Sequence, residues 1–338
     1  MRTPRLQGMP DSAVRTVPLG STGIEVSEFF FGGAAIGGVG SAPSRVGLGM
    51  KTDEALERLD EAYEVGIRVL DTANSFAGGE SERVIGRWRE ERERADVLVS
   101  TKVGNVVERG QESISLAADH IERQLALSRS RLGTVDLYLA HGFDERTPLE
   151  ETITAFAAAI DTEQIRAWGC STGSVREFEA WLLAADRAGL PRPGWVQSEL
   201  SLVARSVERD LLPLLAEEGV GFVAYSPLAG GILSARYLTD DPEELPDPAP
   251  GSRLALAPAM YAASFTLPNL ARVAGLLPLA REREVDIAAL ALGWLRRHPQ
   301  VTATIVSPRR TEQWDAVTDA ASMDFDDALA EQVGALFV

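Results

Sequence analysis

The sequence has 338 residues, of which 45% are hydrophobic and 25% charged, and its net charge is −17. This composition is typical of a soluble globular protein, and the acidic excess argues against general nucleic-acid binding, because phosphates require a basic face. There is no run of the roughly 18 apolar residues that a membrane span needs and no apolar signal region at the N-terminus. With Cys170 as the only cysteine, we expect a cytoplasmic protein without an intrachain disulfide.

The chain is predicted to begin with a disordered leader, residues 1–13, and to continue as one domain over residues 14–338. Two short runs around the turn from Gly20 to Gly23 predict a β-hairpin, and Phe29 to Phe31 predict a first buried strand. Strand and helix patterns then alternate to the C-terminus. The further predicted strands are 67–71, 96–102, 135–141, 165–172, 195–198, 220–226 and 302–307, and the predicted helices are 53–65, 81–91, 113–132, 149–162, 175–188, 210–218, 269–284, 287–297 and 311–321.

Eight predicted strands, each followed by a helix, indicate parallel pairing and an α/β fold. Eight such units in one domain predict a single closed (β/α)8 TIM barrel, here preceded by the N-terminal hairpin. A long loop rich in Pro, Gly and Asp follows the seventh strand, at residues 227–268, and is a candidate lid. Barrel enzymes carry their active sites at the carboxyl ends of the strands, so we searched for functional side chains there.

Three side chains of catalytic type end consecutive predicted strands: Asp71, Lys102 and His141. Each has a structural alternative, as a turn former, a strand-end cation or a hydrogen-bonded core histidine. Together they suit proton delivery to a carbonyl oxygen, because the carboxylate keeps the lysine charged, the lysine lowers the pKa of a neighbouring hydroxyl, and a neutral histidine orients the substrate. A metal site is disfavoured by the lysine in the cluster, and a Ser-His-Asp hydrolase by the lack of a Gly-x-Ser-x-Gly elbow after a strand.

The last two predicted strands lead into segments that suit a phosphate. The segment from Tyr225 to Gly231 combines an aromatic face with small residues and free backbone amides. Arg309 and Arg310 precede the N-terminus of the last predicted helix, which favours an anion. A solvated helix cap with two surface arginines is the alternative for this second segment. Together the two segments suggest a dinucleotide lying across that side of the barrel mouth.

Over nearly its whole length the chain resembles the aldo-keto reductase superfamily. The motifs that carry this resemblance are Phe31-Gly32-Gly33, Asp71-Thr72-Ala73 with Gly79-x-Ser81-Glu82, His141 with Asp144, Thr147-Pro148-Leu149-Glu150-Glu151, and Ala224-Tyr225-Ser226-Pro227-Leu228-Ala229-Gly230-Gly231. The resemblance implies a (β/α)8 barrel that binds NADPH in preference to NADH, without a Rossmann domain, and acts on a small-molecule aldehyde, ketone or sugar. It places Asp71, Lys102 and His141 in the catalytic group.

The same resemblance implies which residues bind the cofactor. The nicotinamide carboxamide would be held by Ser171, Thr172 and Gln197, and its ring would stack on Tyr225. The pyrophosphate would be lined by Ser226, Leu228 and Gly230, and the adenosine end by Ser307, Arg309 and Gln313. Thr172 stands where many members carry Asn, and the region around Pro308 is atypical. The choice between NADPH and NADH therefore stays open at this point.

Phe76 occupies the position of the proton-donating tyrosine in the resembled family, and phenylalanine has no hydroxyl. Losing a general acid costs about 10²–10⁴-fold in rate, whereas fold and cofactor binding should survive a nearly isosteric change. Three explanations remain open: an engineered variant of an active enzyme, a natural enzyme in which His141 or a water donates the proton, or a catalytically silent NADPH-binding sensor or regulatory subunit. A hydroxyl from Tyr237 or Tyr261 in the long loop is disfavoured, because loop delivery of an acid needs precise ordering.

Overall fold

The computed structural model describes residues 14–108, 111–239, 241 and 243–338, so the predicted leader lies outside the described residues. The strands of the described part, numbered in chain order, are β1 (Thr16–Pro18), β2 (Glu25–Ser27), β3 (Phe29–Gly32), β4 (Val69–Asp71), β5 (Leu98–Val103), β6 (Asn105–Glu108), β7 (Gln111–Ile114), β8 (Leu137–Ala140), β9 (Ala167–Ser171), β10 (Trp195–Glu199), β11 (Gly221–Tyr225) and β12 (Ala303–Val306). Eight of them form a closed parallel barrel in the order β3-β4-β5-β8-β9-β10-β11-β12. The predicted (β/α)8 barrel is confirmed.

Two apolar layers follow from the alternation of side chains along each strand. In β3, Phe30 belongs to the core inside the barrel, whereas Phe29 and Phe31 belong to the core between strands and helices. The ring of Phe31 stacks on Trp314 at 6.1 Å between centroids. One strand of aromatic residues thus fixes both layers.

The predicted N-terminal hairpin is also confirmed, since β1 and β2 pair antiparallel with Val17 opposite Val26. Its apolar side chains Leu19, Ile24 and Val26 are buried in the same cluster as the inward-facing residues of the barrel strands. The hairpin therefore contributes to the core inside the barrel, and the chain begins its first barrel strand directly from it.

The helices surround the barrel, and their bounds follow local signals in the sequence. In the fifth helix the Ser174 hydroxyl accepts a hydrogen bond from the amide of Glu177, and Gly189 ends the helix at φ 64°. The helices are α1 (Thr52–Glu64), α2 (Glu80–Glu91), α3 (Ala118–Leu132), α4 (Leu149–Asp161), α5 (Val175–Ala188), α6 (Leu211–Glu217), α7 (Arg253–Leu256), α8 (Pro258–Tyr261), α9 (Leu267–Ala274), α10 (Leu277–Glu282), α11 (Ile287–Arg297), α12 (Trp314–Ser322) and α13 (Asp327–Ala335).

The structure differs from the predicted elements at four places. A second antiparallel hairpin, β6–β7, follows β5, so the helix predicted from residue 113 begins at Ala118 instead. The helix predicted over 269–284 is divided into α9 and α10, because Pro278 lies in the first turn of α10 and a proline is accommodated at a helix start. The long loop contains the short helices α7 and α8, and α13 was not predicted.

Candidate active site

A buried ion pair joins two neighbouring strands at the mouth of the barrel. Asp71 ends β4 and lies opposite Ser100 of β5, so Lys102, two residues further along β5, points to the same side. The Lys102 Nζ donates to Asp71 Oδ2 at 2.5 Å and to the backbone oxygen of Thr72 at 2.7 Å. The exposed fractions of Asp71 and Lys102 are only 3% and 2%. Each buried charge is tolerated because a group of opposite charge lies within hydrogen-bond distance.

The pair is completed by neutral donors and by an aromatic ring. The second carboxylate oxygen, Asp71 Oδ1, accepts from the Ser100 hydroxyl at 3.0 Å and from Gln197 Nε2 at 3.1 Å. The Lys102 ammonium lies over the Phe76 ring, 5.1 Å from its centroid. Burial lowers the pKa of Lys102, and the nearby Asp71 carboxylate partly opposes this shift. The lysine is therefore a stronger acid than a solvated one.

His141 follows β8 and lies beside the same ring. Its imidazole meets Phe76 edge to face, with centroids 5.8 Å apart. Burial, and then the positive charge of Lys102, lowers the pKa of His141 from 6.5 to about 3. The imidazole is therefore neutral at physiological pH. Its Nδ1 lies 3.2 Å from the amide nitrogen of Asn105.

Phe76 contacts both Lys102 and His141 through its ring. It begins a tight turn in which Ala77 and Gly78 take positive φ angles of 48° and 65°. Asp71, Lys102, His141 and Phe76 thus lie together, as the sequence predicted for residues at one barrel mouth.

The alternative tyrosines of the long loop are engaged elsewhere. The Tyr237 ring packs against Phe265 at 5.3 Å between centroids. The Tyr261 ring lies against Gly230, and its hydroxyl lies 3.4 Å from Arg253 Nε. Both tyrosines are buried in the core. Within the described residues, neither ring has a recorded contact with the Asp71–Lys102 pair.

The residues expected to bind the nicotinamide lie on the next strands of the barrel, β9 to β11. Ser171 ends β9, and its neighbour Thr172 donates its hydroxyl to Glu177 and accepts from the amide of Ser174, so Thr172 orders the start of α5. Gln197, in β10, reaches across to Asp71. The structure therefore links the expected cofactor side directly to the ion pair through Gln197.

Tyr225 and the turn after it form an open, sharply bent rim. Tyr225 is 36% exposed although it ends a buried strand. The following segment contains Leu228 and bends through positive φ angles at Ser226, Ala229 and Gly230. A side chain at Gly230 would lie 2.9 Å from the Tyr261 ring, so only glycine fits there. Within the bend the amides of Ala229 and Gly231 donate to the backbone oxygens of Ser226 and Leu228, so the turn is held by its own hydrogen bonds.

The loop after β12 carries the residues expected at the adenosine end. The Ser307 hydroxyl donates to the backbone oxygen of Gly32 at 2.9 Å, which ties this loop to β3. Gln313 Oε1 accepts from the amides of Arg309 and Arg310. The exposed Arg309 guanidinium donates to the backbone oxygen of Gly251 in the long loop at 3.1 Å. The loop is ordered by its own hydrogen bonds and touches the candidate lid.

Sequence reasoning missed two polar residues of this site. Ser100 lies two residues before Lys102 on the same strand, and the two-residue period of a strand would have found it. Asn105 belongs to the hairpin β6–β7, which was not predicted, and no spacing in the sequence points to its contact with His141.

The described residues contain no helix that is long and apolar enough to cross a membrane. In the same part of the chain, no group of three or more His, Cys, Asp or Glu side chains is arranged to hold a metal ion.

Comparison with known proteins identifies the family of the chain. The sequence model of the aldo/keto reductase family matches residues 29–336. A probable voltage-gated potassium channel subunit beta from Arabidopsis thaliana is 32% identical over 309 residues, which cover 87% of each chain. The L-glyceraldehyde 3-phosphate reductase of Escherichia coli K12 is 30% identical over 264 residues, 75% of each chain. The NADH-specific methylglyoxal reductase of the same strain is 27% identical over 334 residues, 93% of this chain and 96% of that one.

A solved structure agrees with the fold. The glycerol dehydrogenase of Gluconobacter oxydans superimposes with a TM-score of 0.78 over 95% of this chain and 94% of that one, at 23% identity. At this identity the likeness concerns the barrel and not the reaction.

Proposed function

The chain belongs to the aldo/keto reductase family, and from this premise we propose that it is an NADPH-dependent oxidoreductase that transfers hydride between the nicotinamide and the carbonyl carbon of an aldehyde, ketone or sugar. The observation that carries the proposal is the buried Asp71–Lys102 pair beside a neutral His141. Such a pair is costly to bury, and apolar residues of similar volume would link the two strands at least as well. A carbonyl oxygen that gains charge requires donors of this kind.

The residues on the other side of the mouth fit a dinucleotide. Tyr225 offers an exposed ring at a strand end, the bend at Gly230 offers small residues that leave room for a phosphate, and Arg309 offers a guanidinium. When bound, the dinucleotide would supply the hydride. We assign Ser171, Thr172 and Gln197 to the carboxamide end, Ser226, Leu228 and Gly230 to the pyrophosphate, and Ser307, Arg309 and Gln313 to the adenosine end.

Lys102 is the proton donor in this proposal, in place of the hydroxyl that Phe76 lacks. Two of its three N–H groups are used by Asp71 and Thr72, which leaves the third for a substrate oxygen. As hydride reaches the carbonyl carbon, the electron pair of the C=O π bond moves to oxygen, and oxygen takes a proton from the ammonium. Burial makes this proton more acidic than that of a free lysine. His141 donates a hydrogen bond to the same oxygen without giving up its proton.

NADPH is proposed over NADH because Arg309 is an exposed cation in the loop assigned to the adenosine end, and an arginine fork suits a phosphate. One relative of the chain is named for NADH specificity, so both cofactors belong in the test. Cytoplasmic location and a small-molecule partner remain part of the proposal and follow from the sequence.

Phe76 and one group of relatives favour a second candidate function. A chain without the phenolic acid that is 32% identical to a probable potassium channel subunit beta would suit a silent NADPH-binding subunit that senses the cofactor and regulates a partner. This alternative requires cofactor binding but no turnover.

Turnover of the chain and of its Phe76→Tyr variant distinguishes the two candidates. With a panel of aldehydes, ketones and sugars and with each reduced cofactor, we expect slow turnover of the chain and a gain of about 10²–10⁴-fold in kcat for Phe76→Tyr. Phe143→Tyr is the matched control, because Phe143 is an aromatic residue of the loop after β8 that packs on Trp181. Tight cofactor binding without turnover by either protein would reject the enzyme and favour the regulatory subunit.

A further inference from the structure

We propose that Asn105 is a positioning residue that fixes the tautomer of His141, holding Nδ1 as an acceptor so that Nε2 carries the proton and donates to the reacting oxygen. This inference rests on the proposed function, in which His141 is a neutral donor. The position of the proton on the His141 ring can be measured whether or not the chain turns over a substrate.

The geometry around the Asn105 amide requires a lone pair on Nδ1. The Asn105 Nδ2 lies 3.2 Å from His141 Nδ1 and 3.2 Å from the Ser41 hydroxyl oxygen. An amide nitrogen has two hydrogens and no acceptor capacity. One hydrogen therefore points to each neighbour, and a neutral imidazole that accepts at Nδ1 carries its only hydrogen on Nε2.

Three loops hold this amide in place. Ser41, in the loop after β3, is hydrogen-bonded to Ser75 in the turn after β4 at 2.8 Å. At the base of the hairpin β6–β7, Asn105 pairs with Ile114, and the backbone oxygen of Ile114 accepts from Arg146 NH2 in the loop after β8 at 2.6 Å. Asn105 thus belongs to a polar chain, Ser75–Ser41–Asn105–His141, whose last member contacts Phe76.

The amide also decides what His141 does in the reaction. An amide N–H does not relay protons under these conditions, so a proton lost from Nε2 could not be replaced through Nδ1. A second N–H at Nδ1, as in an imidazolium, would meet the Asn105 N–H head on, so the amide disfavours the protonated ring. His141 is therefore a hydrogen-bond donor, and the proton itself comes from Lys102.

The test is the tautomer of His141 in the full-length chain, measured by ¹⁵N NMR of the imidazole nitrogens. The chain has only three histidines, and the signals of His141 are those lost in His141→Gln. We expect a neutral ring protonated at Nε2. In Asn105→Asp, a carboxylate accepts from Nδ1–H, so the tautomer should reverse, and kcat should fall on the order of 10²-fold because a donor to the oxyanion is lost, while the Kd for NADPH stays unchanged.

Ser113→Ala is the matched control, because Ser113 is an exposed residue of the same hairpin, opposite Val106, and its change should leave the spectrum and kcat unaltered. A ring protonated at Nδ1 in the unmodified chain would overturn the inference, since the amide would then be turned around. So would an unchanged tautomer in Asn105→Asp. The NMR result needs no turnover, and so it is separate from the failure of the proposed function, which would appear as absent turnover in the unmodified chain and in Phe76→Tyr alike.

Discussion

The ammonium of Lys102 lies 5.1 Å from the centroid of the Phe76 ring, and the same ring meets the His141 imidazole at 5.8 Å between centroids and an interplanar angle of 76°. A phenyl ring attracts a buried cation by about 2 kcal/mol but accepts no proton and gives none. The Phe76 ring therefore packs the site and orients the lysine side chain. The proton transfer that a phenol would perform has to come from the polar groups around the ring.

Removing one member of the Asp71–Lys102 pair should lower the free energy of unfolding more than neutralising both members. Lys102→Met leaves a buried carboxylate without its cation, and we expect the free energy of unfolding to fall by about 3–5 kcal/mol. The double variant Asp71→Asn with Lys102→Met should recover part of this loss, because no charge is left unpaired. Urea unfolding of both variants measures the difference.

Arg209→Ala is the control for the ion pair, since Arg209 and Asp210 form an exposed pair that should not contribute measurably to stability. Equal losses in the single and double variants would contradict the account, because they would assign the cost to packing and not to an unpaired charge.

The half-buried imidazole of His141 should make the free energy of unfolding depend on pH. Its folded pKa of about 3 lies below the ordinary value of 6.5, so between these values the unfolded chain binds a proton that the folded chain does not. The free energy of unfolding should therefore fall as the pH falls from 6.5 toward 3, with a limiting slope of about 1.4 kcal/mol per pH unit. His141→Gln removes this contribution. The difference in free energy of unfolding between the two proteins, measured in urea, should therefore change steadily from pH 6.5 to pH 3. If the plots of unfolding free energy against pH were parallel for the two proteins, the pKa of His141 would be the same in the folded and unfolded chain, which would contradict the prediction.

Gly230 should resist substitution more than another glycine with the same backbone conformation. Gly230 and Gly189 have φ angles of 68° and 64°, but a side chain at Gly189 meets nothing within 4 Å, whereas one at Gly230 meets the Tyr261 ring. Gly189→Ala should cost about 1 kcal/mol from the left-handed backbone alone. Gly230→Ala should cost about 1–3 kcal/mol more and should also weaken NADPH binding. Equal effects of the two changes on unfolding and on Kd would remove Gly230 from the cofactor site.

Much of the fold was predictable because its signals are local. The alternation of apolar strands and amphipathic helices, and the caps Ser174 and Gly189, each act over a few residues. The ends of strands also located Asp71, Lys102 and His141, since a parallel barrel brings its carboxyl ends together whatever the loops do.

The remainder depends on contacts between distant parts of the chain. The hairpin β6–β7 has a polar, Glu-containing sequence that also suits a helix start, and its position depends on Ile114 packing beside Gly142 and bonding to Arg146. Only this hairpin brings Asn105 within hydrogen-bond distance of His141. The pKa of His141 was equally out of reach, because it depends on burial and on its distance from Lys102.

The central claim is that this chain moves hydride although Phe76 stands where an acid is expected. The direct measurement uses NADPH deuterated at C4 of the nicotinamide, incubated with the unmodified chain and an aldehyde panel, and mass spectrometry of the alcohols formed. The account predicts deuterium on the carbinol carbon, with slow turnover that is lost in Lys102→Met. Saturable NADPH binding with no deuterium in any product, from the unmodified chain and from Phe76→Tyr, would contradict it.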